Sequence, residues 1–275
     1  MAERRTALVT GTSSGMGLHT AVGLARAGVR VIATMRDVTK ADALSAEVAA
    51  AGVEVEVRAL DVIDESQARE LIAKVGMIDI LINNAGRGAV ATLEQSTQQD
   101  LRDQLEINYL SVASLTRMVL PGMRAAGRGR IVTVTSVGGV VGQPFADAYC
   151  ASKFAVEGLM QSLAPVAAHF GIGVCIVEPA AVASGFVGNV DGVVDRADPH
   201  DPYAELLAAY LRRTAGAFDA AQTAQSAAEV IVEAATTSTP KFRWQTSEAA
   251  VAFVGLSLGD LDGSTVLGAT STWLA

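Results

Sequence analysis

The stretch that decides the fold lies near the amino terminus and reads Ala7-Leu8-Val9-Thr10-Gly11-Thr12-Ser13-Ser14-Gly15-Met16-Gly17. An apolar run leads directly into a glycine-rich loop of spacing G-x-x-x-G-x-G, and a helical pattern follows from residue 18. This order is typical of a turn that binds nucleotide phosphates, because glycine permits sharp turns and the N–H groups that open a helix attract anions. The alternative is a turn with a purely structural role, and the position after the first strand favours phosphate binding.

Downstream of this loop, short β-branched runs alternate with longer amphipathic stretches. The predicted strands cover residues 7–9, 29–33, 53–57, 78–82, 130–135 and 174–177, with a last one at 241–244. The predicted helices cover residues 18–27, 40–51, 65–75, 98–126, 148–171 and 203–215. Strands linked by helices run parallel, so the sequence predicts an α/β protein with a single Rossmann-type, doubly wound parallel sheet of about seven strands, flanked by helices.

Length and composition agree with such a sheet. Of the 275 residues, 50% are hydrophobic but only 5% are aromatic, so aliphatic side chains dominate, as they do in buried parallel strands. The length permits one large domain or two small ones. Because the candidate site residues extend from residue 10 to residue 184, we expect one domain over residues 1–275. A Gly-, Asp- and Pro-rich stretch begins a substrate-loop insertion expected at about 184–226.

Charge and cysteine content exclude several classes of protein. The formal charge is −8, and no long cluster of Lys and Arg is present, so nucleic acid is a poor candidate partner. Two cysteines without C-x-x-C spacing make neither a disulfide framework nor a zinc site, and no pair of the three histidines suggests a metal. Neither a signal-peptide core nor an apolar run of membrane-spanning length is present, so we expect a cytoplasmic protein without membrane insertion.

A tyrosine and a lysine suggest acid–base chemistry. Tyr149 and Lys153 stand four residues apart at the start of the predicted helix 148–171, so both side chains lie on one face. A phenol of pKa about 10 is a poor acid–base catalyst at neutral pH, but an ammonium within about 4 Å would lower this pKa toward the operating range. We therefore expect Tyr149 to transfer the proton and Lys153 to support it.

Two further polar residues stand where they could assist this pair. Ser136 directly follows the predicted strand 130–135, so its hydroxyl is expected at the carboxyl edge of the sheet, where it could bond a substrate oxygen. Asn108 falls inside the predicted helix 98–126, where a buried amide needs a partner, such as a water that relays protons from Lys153. As isolated residues, Ser136 is more often a strand-end cap and Asn108 a satisfied core amide.

Together, the loop from Thr10 to Gly17 and the set Asn108, Ser136, Tyr149 and Lys153 resemble the short-chain dehydrogenase/reductase family. The four residues match the catalytic tetrad of that family one by one. The stretches 33–37, 136–139, 143–145 and 149–158 look most like the branch that contains 17-beta-hydroxysteroid and retinol dehydrogenases. The resemblance covers nearly the whole chain, strongly over residues 6–180 and loosely beyond.

The resemblance implies a nicotinamide cofactor and residues that hold it. Asp61 would bond the adenine amino group, the backbone of Asn84-Ala85-Gly86 would line the adenine ribose, and Val182 would offer its backbone to the carboxamide. Ala180 stands where the family usually has Gly, and Ser184 stands where it has Thr. The expected cofactor-binding residues are Gly11, Thr12, Ser14, Gly15, Met16, Gly17, Arg36, Asp61, Val62, Asn84, Ala85, Gly86, Tyr149, Lys153, Pro179, Val182 and Ser184.

The end of the second strand points to NADP(H) over NAD(H). In the family this position holds an Asp when the ribose 2′-hydroxyl is to be bonded, and here it is Met35, followed by Arg36. A guanidinium can pair with a 2′-phosphate, and the Thr12 hydroxyl could add a bond to it. The alternative is a solvated Arg36 beside Asp37, whose charge would repel phosphate.

The family implies hydride transfer between the nicotinamide and a carbonyl or carbinol carbon, with Tyr149 giving or taking the proton. The branch implies a bulky, apolar, steroid- or retinoid-like substrate, which Phe145, Phe186, Val187, Val190, Val193 and Val194 could surround. The alternatives are a reductase of the same fold for acyl-thioester or small carbonyl substrates, and a nonenzymatic NADPH-binding regulator. Family members assemble through the helices predicted at 98–126 and 148–171, which implies a homodimer or homotetramer.

Overall fold

Seven parallel strands form one sheet in the computed structural model, which describes residues 4–183, 190–191, 201–219 and 221–274. The strands are β1 (Thr6–Thr10), β2 (Arg30–Met35), β3 (Glu56–Ala59), β4 (Ile80–Asn83), β5 (Gly129–Val134), β6 (Ile172–Glu178) and β7 (Arg243–Gln245). Their order across the sheet is β7-β6-β5-β4-β1-β2-β3. This arrangement confirms the predicted α/β fold with a doubly wound parallel sheet.

Helices connect the strands and cover both faces of the sheet. The helices that precede residue 170 are α1 (Gly15–Arg26), α2 (Asp42–Ala51), α3 (Glu65–Val75), α4 (Gln98–Leu105), α5 (Ser111–Ala126) and α6 (Asp147–Ala168). Four more follow it, namely α7 (Ala204–Asp219), α8 (Ala224–Thr236), α9 (Glu248–Leu258) and α10 (Ser264–Ser271). Within the described residues, no helix is long and apolar enough to cross a bilayer.

The core lies in two layers, because side chains alternate between the two faces of a strand. Leu8, Leu81 and Ile131 are fully buried on the face that α3, α5 and α6 cover. Val9 and Val132 are fully buried on the opposite face, which α1 and α8 cover. Burial on both faces explains why the strands read as continuous apolar runs.

The structure corrects two of the predicted elements. The strand predicted at 53–57 begins at Glu56, because Val53 still belongs to the end of α2: its N–H donates to Val48 O (3.3 Å), beyond the left-handed Gly52 (φ 64°). The helix predicted at 98–126 is interrupted by a π-helical turn over Glu106–Leu110. Helices α8, α9 and α10 were not predicted.

The order of strands places the candidate site. The crossover direction reverses between β1 and β4, which lie side by side with Leu8 opposite Leu81. Ligands of doubly wound sheets bind in the crevice that this reversal opens at the carboxyl ends of the strands. The loops that follow β1 and β4 are the glycine loop and Asn84-Ala85-Gly86.

Candidate active site

The loops after β1 and β4 are joined by hydrogen bonds. The Thr10 hydroxyl accepts from Asn84 N and Ala85 N, both at 3.0 Å, and donates to Ile82 O at 3.3 Å. In return, Asn84 Nδ2 donates to Thr10 O (2.9 Å) and Gly11 O (3.1 Å). Hydrogen bonds within the protein therefore fix the positions of the two loops that border the crevice.

The glycine loop presents its backbone where a phosphate would lie. Gly11 has φ 71° and Gly15 has φ 60°, backbone angles that residues other than glycine rarely adopt. Ser14 precedes α1 with extended backbone, and within the described chain its side chain makes no capping bond, so the first N–H groups of α1 remain open to an anion. The loop thus fits the pyrophosphate of a dinucleotide.

Gly17 is expected to be the least replaceable glycine of this loop. A Cβ atom there would lie 2.2 Å from Gly11 O and 2.4 Å from Asn84 Nδ2. Gly17→Ala must therefore separate the two loops, and we expect at least a 10-fold weaker NADPH affinity together with a lower Tm. Isothermal calorimetry and thermal unfolding would measure both. Gly255→Ala, in open space on α9, should leave the affinity unchanged, and unchanged NADPH binding in Gly17→Ala would contradict the expectation.

The two residues expected to contact the 2′-phosphate differ in exposure. Thr12 is fully buried, and its hydroxyl donates to Thr34 O (3.1 Å), so a bond from this hydroxyl to the 2′-phosphate would have to replace that one and stays a prediction. Arg36 is exposed directly after β2, at the carboxyl edge of the sheet. The Asp37 carboxylate accepts from Thr39 N (3.0 Å) and Thr39 Oγ1 (2.6 Å), and the hydroxyl bond holds the pKa of Asp37 below its usual value.

The expected adenine wall follows β3. Asp61 is half-buried, and its N–H donates to Gln67 Oε1, while Asp61 Oδ1 accepts from Ile63 N (3.3 Å). Val62 is buried. A lone Asp after a strand is ordinarily a helix cap, but the N-cap of α3 is Asp64 and not Asp61. Contact of Asp61 with adenine stays a prediction.

The predicted catalytic residues converge beyond β5. Tyr149 and Ser136 share a side-chain hydrogen bond, and Ser136 Oγ also accepts from Gly138 N (3.0 Å), which caps the short 3₁₀ turn Val137–Gly139. Lys153 Nζ donates to Val134 O (3.1 Å) and lies 5.8 Å from the centre of the Tyr149 ring. Ser136 therefore caps this turn and also bonds Tyr149, while its catalytic role stays a prediction.

The protonation of this pair differs from the expectation. Burial raises the pKa of Tyr149 above its usual value, and the bond from Ser136 offsets only part of that rise, so the predicted lowering is wrong for the chain on its own. Burial also lowers the pKa of Lys153 to about 8, while Glu157 opposes this shift. At neutral pH the phenol is protonated and the lysine is still predominantly charged.

Asn108 lies in the π-helical turn and is buried. Its Nδ2 donates to Arg87 O (2.9 Å), Gln104 Oε1 (2.9 Å) and Ser152 Oγ (3.1 Å), and its Oδ1 accepts from Arg87 N (3.0 Å). Protein groups therefore satisfy both ends of the amide, and a water relay through Asn108 stays a prediction. The turn after β4 approaches closely, since a Cβ on Gly86 would lie 2.9 Å from Asn108 Oδ1.

The chain after β6 was expected to hold the carboxamide. Pro179 O accepts from Val137 N (3.0 Å), and Val182–Ala183 pairs in parallel with Gln222–Thr223. Val182 is buried against Ala224 and Ala227 of α8, with Met16 of the glycine loop packed on the same cluster. Ser184, Phe186, Val187, Val193 and Val194 lie outside the described residues, as does the side chain of Val190.

An aromatic side chain that was not predicted from the sequence lies near Tyr149. Tyr210 of α7 is buried, and its ring lies 5.4 Å from that of Phe145, at an angle of 40°. Tyr210 also adds to the rise in the pKa of Tyr149, so the two phenols are close enough to interact electrostatically. Phe145, just before α6, has φ 59°, a left-handed conformation that is strained for a bulky side chain. Sequence alone does not reveal such strain, which clusters at functional sites.

Comparison with known proteins agrees with this geometry. The family model described as short chain dehydrogenase matches residues 5–192. Human 17-beta-hydroxysteroid dehydrogenase type 1 is 35% identical over 275 residues, covering 95% of this chain and 83% of that protein. Human retinol dehydrogenase 8 is 37% identical over 253 residues, covering 88% and 81%. A short-chain dehydrogenase from Streptomyces avermitilis superposes with a TM-score of 0.81 at 34% identity, covering 98% of each chain.

Similar solved structures contain either form of the nicotinamide cofactor. An actinorhodin polyketide ketoreductase with NADPH covers 89% of this chain and 97% of its own, with a TM-score of 0.73 and 28% identity. A short-chain dehydrogenase/reductase from Burkholderia phymatum in complex with NAD covers 92% of each chain, with a TM-score of 0.78 and 27% identity. The chain therefore belongs to the short-chain dehydrogenase family, whose members are oxidoreductases that use NAD(P).

Proposed function

We propose that this protein interconverts a bulky apolar ketone or aldehyde and its alcohol, with NADP(H) as the preferred cofactor and Tyr149 as the acid and base. The observation that carries the proposal is the hydrogen-bonded pair of Tyr149 and Ser136 at the carboxyl edge of the sheet, beside the rings of Phe145 and Tyr210. Relatives named for hydroxysteroids and retinol support a steroid- or retinoid-like substrate.

The mechanism assigns one task to each residue. The cofactor, when bound along the glycine loop and Asn84-Ala85-Gly86, supplies or accepts the hydride. The protonated Tyr149 phenol donates its proton to the substrate oxygen during reduction and recovers it from the alcohol during oxidation. Ser136 Oγ donates a hydrogen bond to the same oxygen, where negative charge develops. The Lys153 ammonium favours the phenolate that proton donation leaves behind.

The protonation state of Tyr149 at neutral pH suits carbonyl reduction. Desolvation raises the pKa of the phenol, which is therefore protonated there, and the protonated form is the one that a ketone oxygen requires. We therefore propose that carbonyl reduction with NADPH is the direction to measure first.

The alternative substrate classes differ from this proposal in size and polarity. A reductase of acyl-thioesters or small carbonyls would use the same Ser136, Tyr149 and Lys153, and the similarity to a polyketide ketoreductase keeps this class open. A nonenzymatic NADPH-binding regulator has no need of a half-buried tyrosine bonded to Ser136 and followed one turn later by the buried Lys153. The apolar surroundings provided by Phe145 and Tyr210 favour the bulky substrate.

A substrate panel tests the proposal. NADPH oxidation would be followed at 340 nm with steroid ketones, retinaldehyde, acyl-thioesters and short-chain ketones, and the reverse reaction with the matching alcohols. We expect kcat/KM to be largest for a steroid or retinoid. Faster turnover of an acyl-thioester or small ketone would assign the alternative class, and no turnover with any of them would contradict the enzymatic reading.

Tyr210 is expected to contribute to the binding of bulky substrates and not of small ones. Tyr210→Ala removes a buried ring from the neighbourhood of Tyr149, and we expect about a 10-fold rise in KM for the preferred steroid or retinoid, as loss of an aromatic contact implies. KM for a short-chain ketone should change little. Phe170→Ala, which follows α6 at the opposite edge of the sheet, is the matched control. Equal effects on bulky and small ketones would show that Tyr210 only supports the fold.

Quaternary structure, domain organisation and location are further parts of the proposal. Leu105, Leu110, Phe154 and Val166 are exposed apolar side chains on or between α4, α5 and α6, which supports a homodimer or homotetramer through these helices. We also propose one domain over residues 1–275 and a cytoplasmic location. Light scattering on the purified protein would measure the number of subunits.

A further inference from the structure

A buried group of charges lies behind Lys153 and is not used in the mechanism above. Glu157 is 3% exposed and Glu178 is 0% exposed. Arg243 Nη1 bridges them, with Oε2 of Glu157 at 2.6 Å and Oε1 of Glu178 on its other side. Gln245 Nε2 donates to Glu178 Oε2 at 2.5 Å. Two carboxylates therefore converge on one guanidinium inside the protein.

This charge group is attached to the candidate active site at several points. Glu157 follows Lys153 by one turn of α6, so both side chains lie on the same face. Lys153 Nζ donates to Val134 O (3.1 Å), and the hydroxyl of the next residue, Thr135, donates to Glu157 Oε1 (2.8 Å). Gly139 makes room for this carboxylate, since a Cβ there would lie 2.6 Å from Oε1.

The group is electrically balanced when Lys153 is included. Two cations, Lys153 and Arg243, face two anions, Glu157 and Glu178. Charges this deeply buried are costly unless they are paired, so the loss of one anion makes the other charges harder to maintain. Glu157 is the charged group that acts directly on Lys153. The other titratable and charged groups of this region are Tyr149 and Cys150 on α6, Glu178 on β6, Arg243 on β7, Tyr210 on α7 and Arg87 after β4.

We propose that Glu157 and Arg243 are positioning residues that keep the Lys153 ammonium charged during proton transfer at Tyr149. Arg243 lies on β7, outside the segment that carries the tetrad, and is parallel-paired opposite Ile176 of β6. It holds the Glu157 carboxylate in place and ionised, and the Glu157 carboxylate stabilises the ammonium one turn away on α6. The inference rests on the proposed roles of Tyr149 and Lys153.

The sign of the effect follows from burial and charge. Burial lowers the pKa of Lys153 to about 8, and the negative Glu157 opposes this lowering. Burial and the nearby Glu178 raise the pKa of Glu157 to about 7, against the bond from Arg243. The charged forms of Glu157 and Lys153 therefore coexist mainly in the interval between these two pKa values, where each carboxylate and ammonium favours the charge of the other. If Glu157 loses its charge, the Lys153 ammonium deprotonates at a lower pH, and reduction fails earlier on the alkaline side.

Glu157→Gln keeps the shape of the side chain and removes its charge. We expect the alkaline limb of the pH profile of kcat/KM for ketone reduction to move down by on the order of one pH unit. The double variant Glu157→Gln/Arg243→Gln restores the balance of one cation and one anion, so its limb should move back toward that of the wild type. Arg30→Gln, which breaks a surface pair with Glu56, is the matched control and should leave the profile unchanged.

A purely structural role predicts other results. It would leave the alkaline limb of Glu157→Gln in place, or shift the limb of the double variant further than that of the single variant, and either result would overturn the inference. Should Glu157→Gln fail to fold, Glu178→Gln removes the other anion and must shift the limb in the same direction.

A measurement that needs no turnover separates this inference from the proposed function. The chain has few lysines, so the ¹³Cε resonance of labelled Lys153 can be identified with a Lys153→Met variant and titrated. We expect its midpoint to fall in Glu157→Gln and to recover in the double variant, even if no ketone in the panel is reduced. An unmoved midpoint would refute the charge coupling, whether or not the enzyme turns over.

Discussion

Tyr149→Phe is expected to lower kcat for ketone reduction by about 10³-fold, within the range that general acid–base catalysis contributes. The change removes one hydroxyl group and keeps the ring, so the packing around this half-buried residue should persist. The lost group is the only part of Tyr149 that can donate a proton to the substrate oxygen. The affinity for NADPH should therefore stay close to that of the wild type.

Single-turnover measurements with saturating NADPH would quantify this loss, and circular dichroism and Tm would show that the fold is kept. Tyr203→Phe is the matched control, because the Tyr203 hydroxyl donates to Glu94 Oε2 (2.5 Å) at the surface, away from the candidate site. If Tyr149→Phe retained wild-type turnover with an intact fold, the enzymatic role of Tyr149 would be refuted.

Arg36→Ala is expected to weaken NADPH binding by about 10- to 100-fold, because a charge-assisted pair with the 2′-phosphate contributes roughly 1.5–3 kcal/mol. NADH has no 2′-phosphate, so its dissociation constant should change little. The exposed position of Arg36 at the carboxyl edge of β2 leaves the guanidinium free to reach a ligand in the crevice. The preference for NADPH should therefore shrink or reverse.

Dissociation constants of both cofactors, measured by calorimetry on the wild type and the variant, test this expectation. Lys74→Ala, at the end of α3 and paired with Glu70, serves as a control for general loss of surface charge. Tighter binding of NADH than of NADPH by the wild type would overturn the assignment. A parallel loss of affinity for both cofactors in Arg36→Ala would instead point to a contact with a group that they share.

The periodicity of the sequence predicts the sheet because buried parallel strands consist of continuous aliphatic runs, and this sheet is buried on both faces. It predicts α3 at Glu65–Val75 with the observed limits, since Asp64 caps its first turn. The predicted start of β3 was wrong, because Val53 N donates to Val48 O beyond Gly52 and so belongs to the C-terminal cap of α2. This cap outweighs the strand preference of valine.

The candidate site was predictable where spacing along the chain sets the geometry. Tyr149 and Lys153 share a helix face because they are four residues apart, and Ser136 meets them because it ends a strand. The fate of the Thr12 hydroxyl depended on a neighbour 22 residues away, and the pKa of Tyr149 depended on how deeply the fold buries it. Tyr210 comes from a helix whose docking no local pattern describes.

The hydroxyl of Thr10 has a consequence for how the cofactor enters. It joins the end of β1 to β4 by one hydrogen bond and to the loop after β4 by two, and Asn84 adds two more in the opposite direction. The groove is thus assembled during folding and loses little conformational entropy when it is filled. The phosphate end of the groove is therefore preorganised for its ligand. The two loops are therefore expected to keep their positions when the dinucleotide binds.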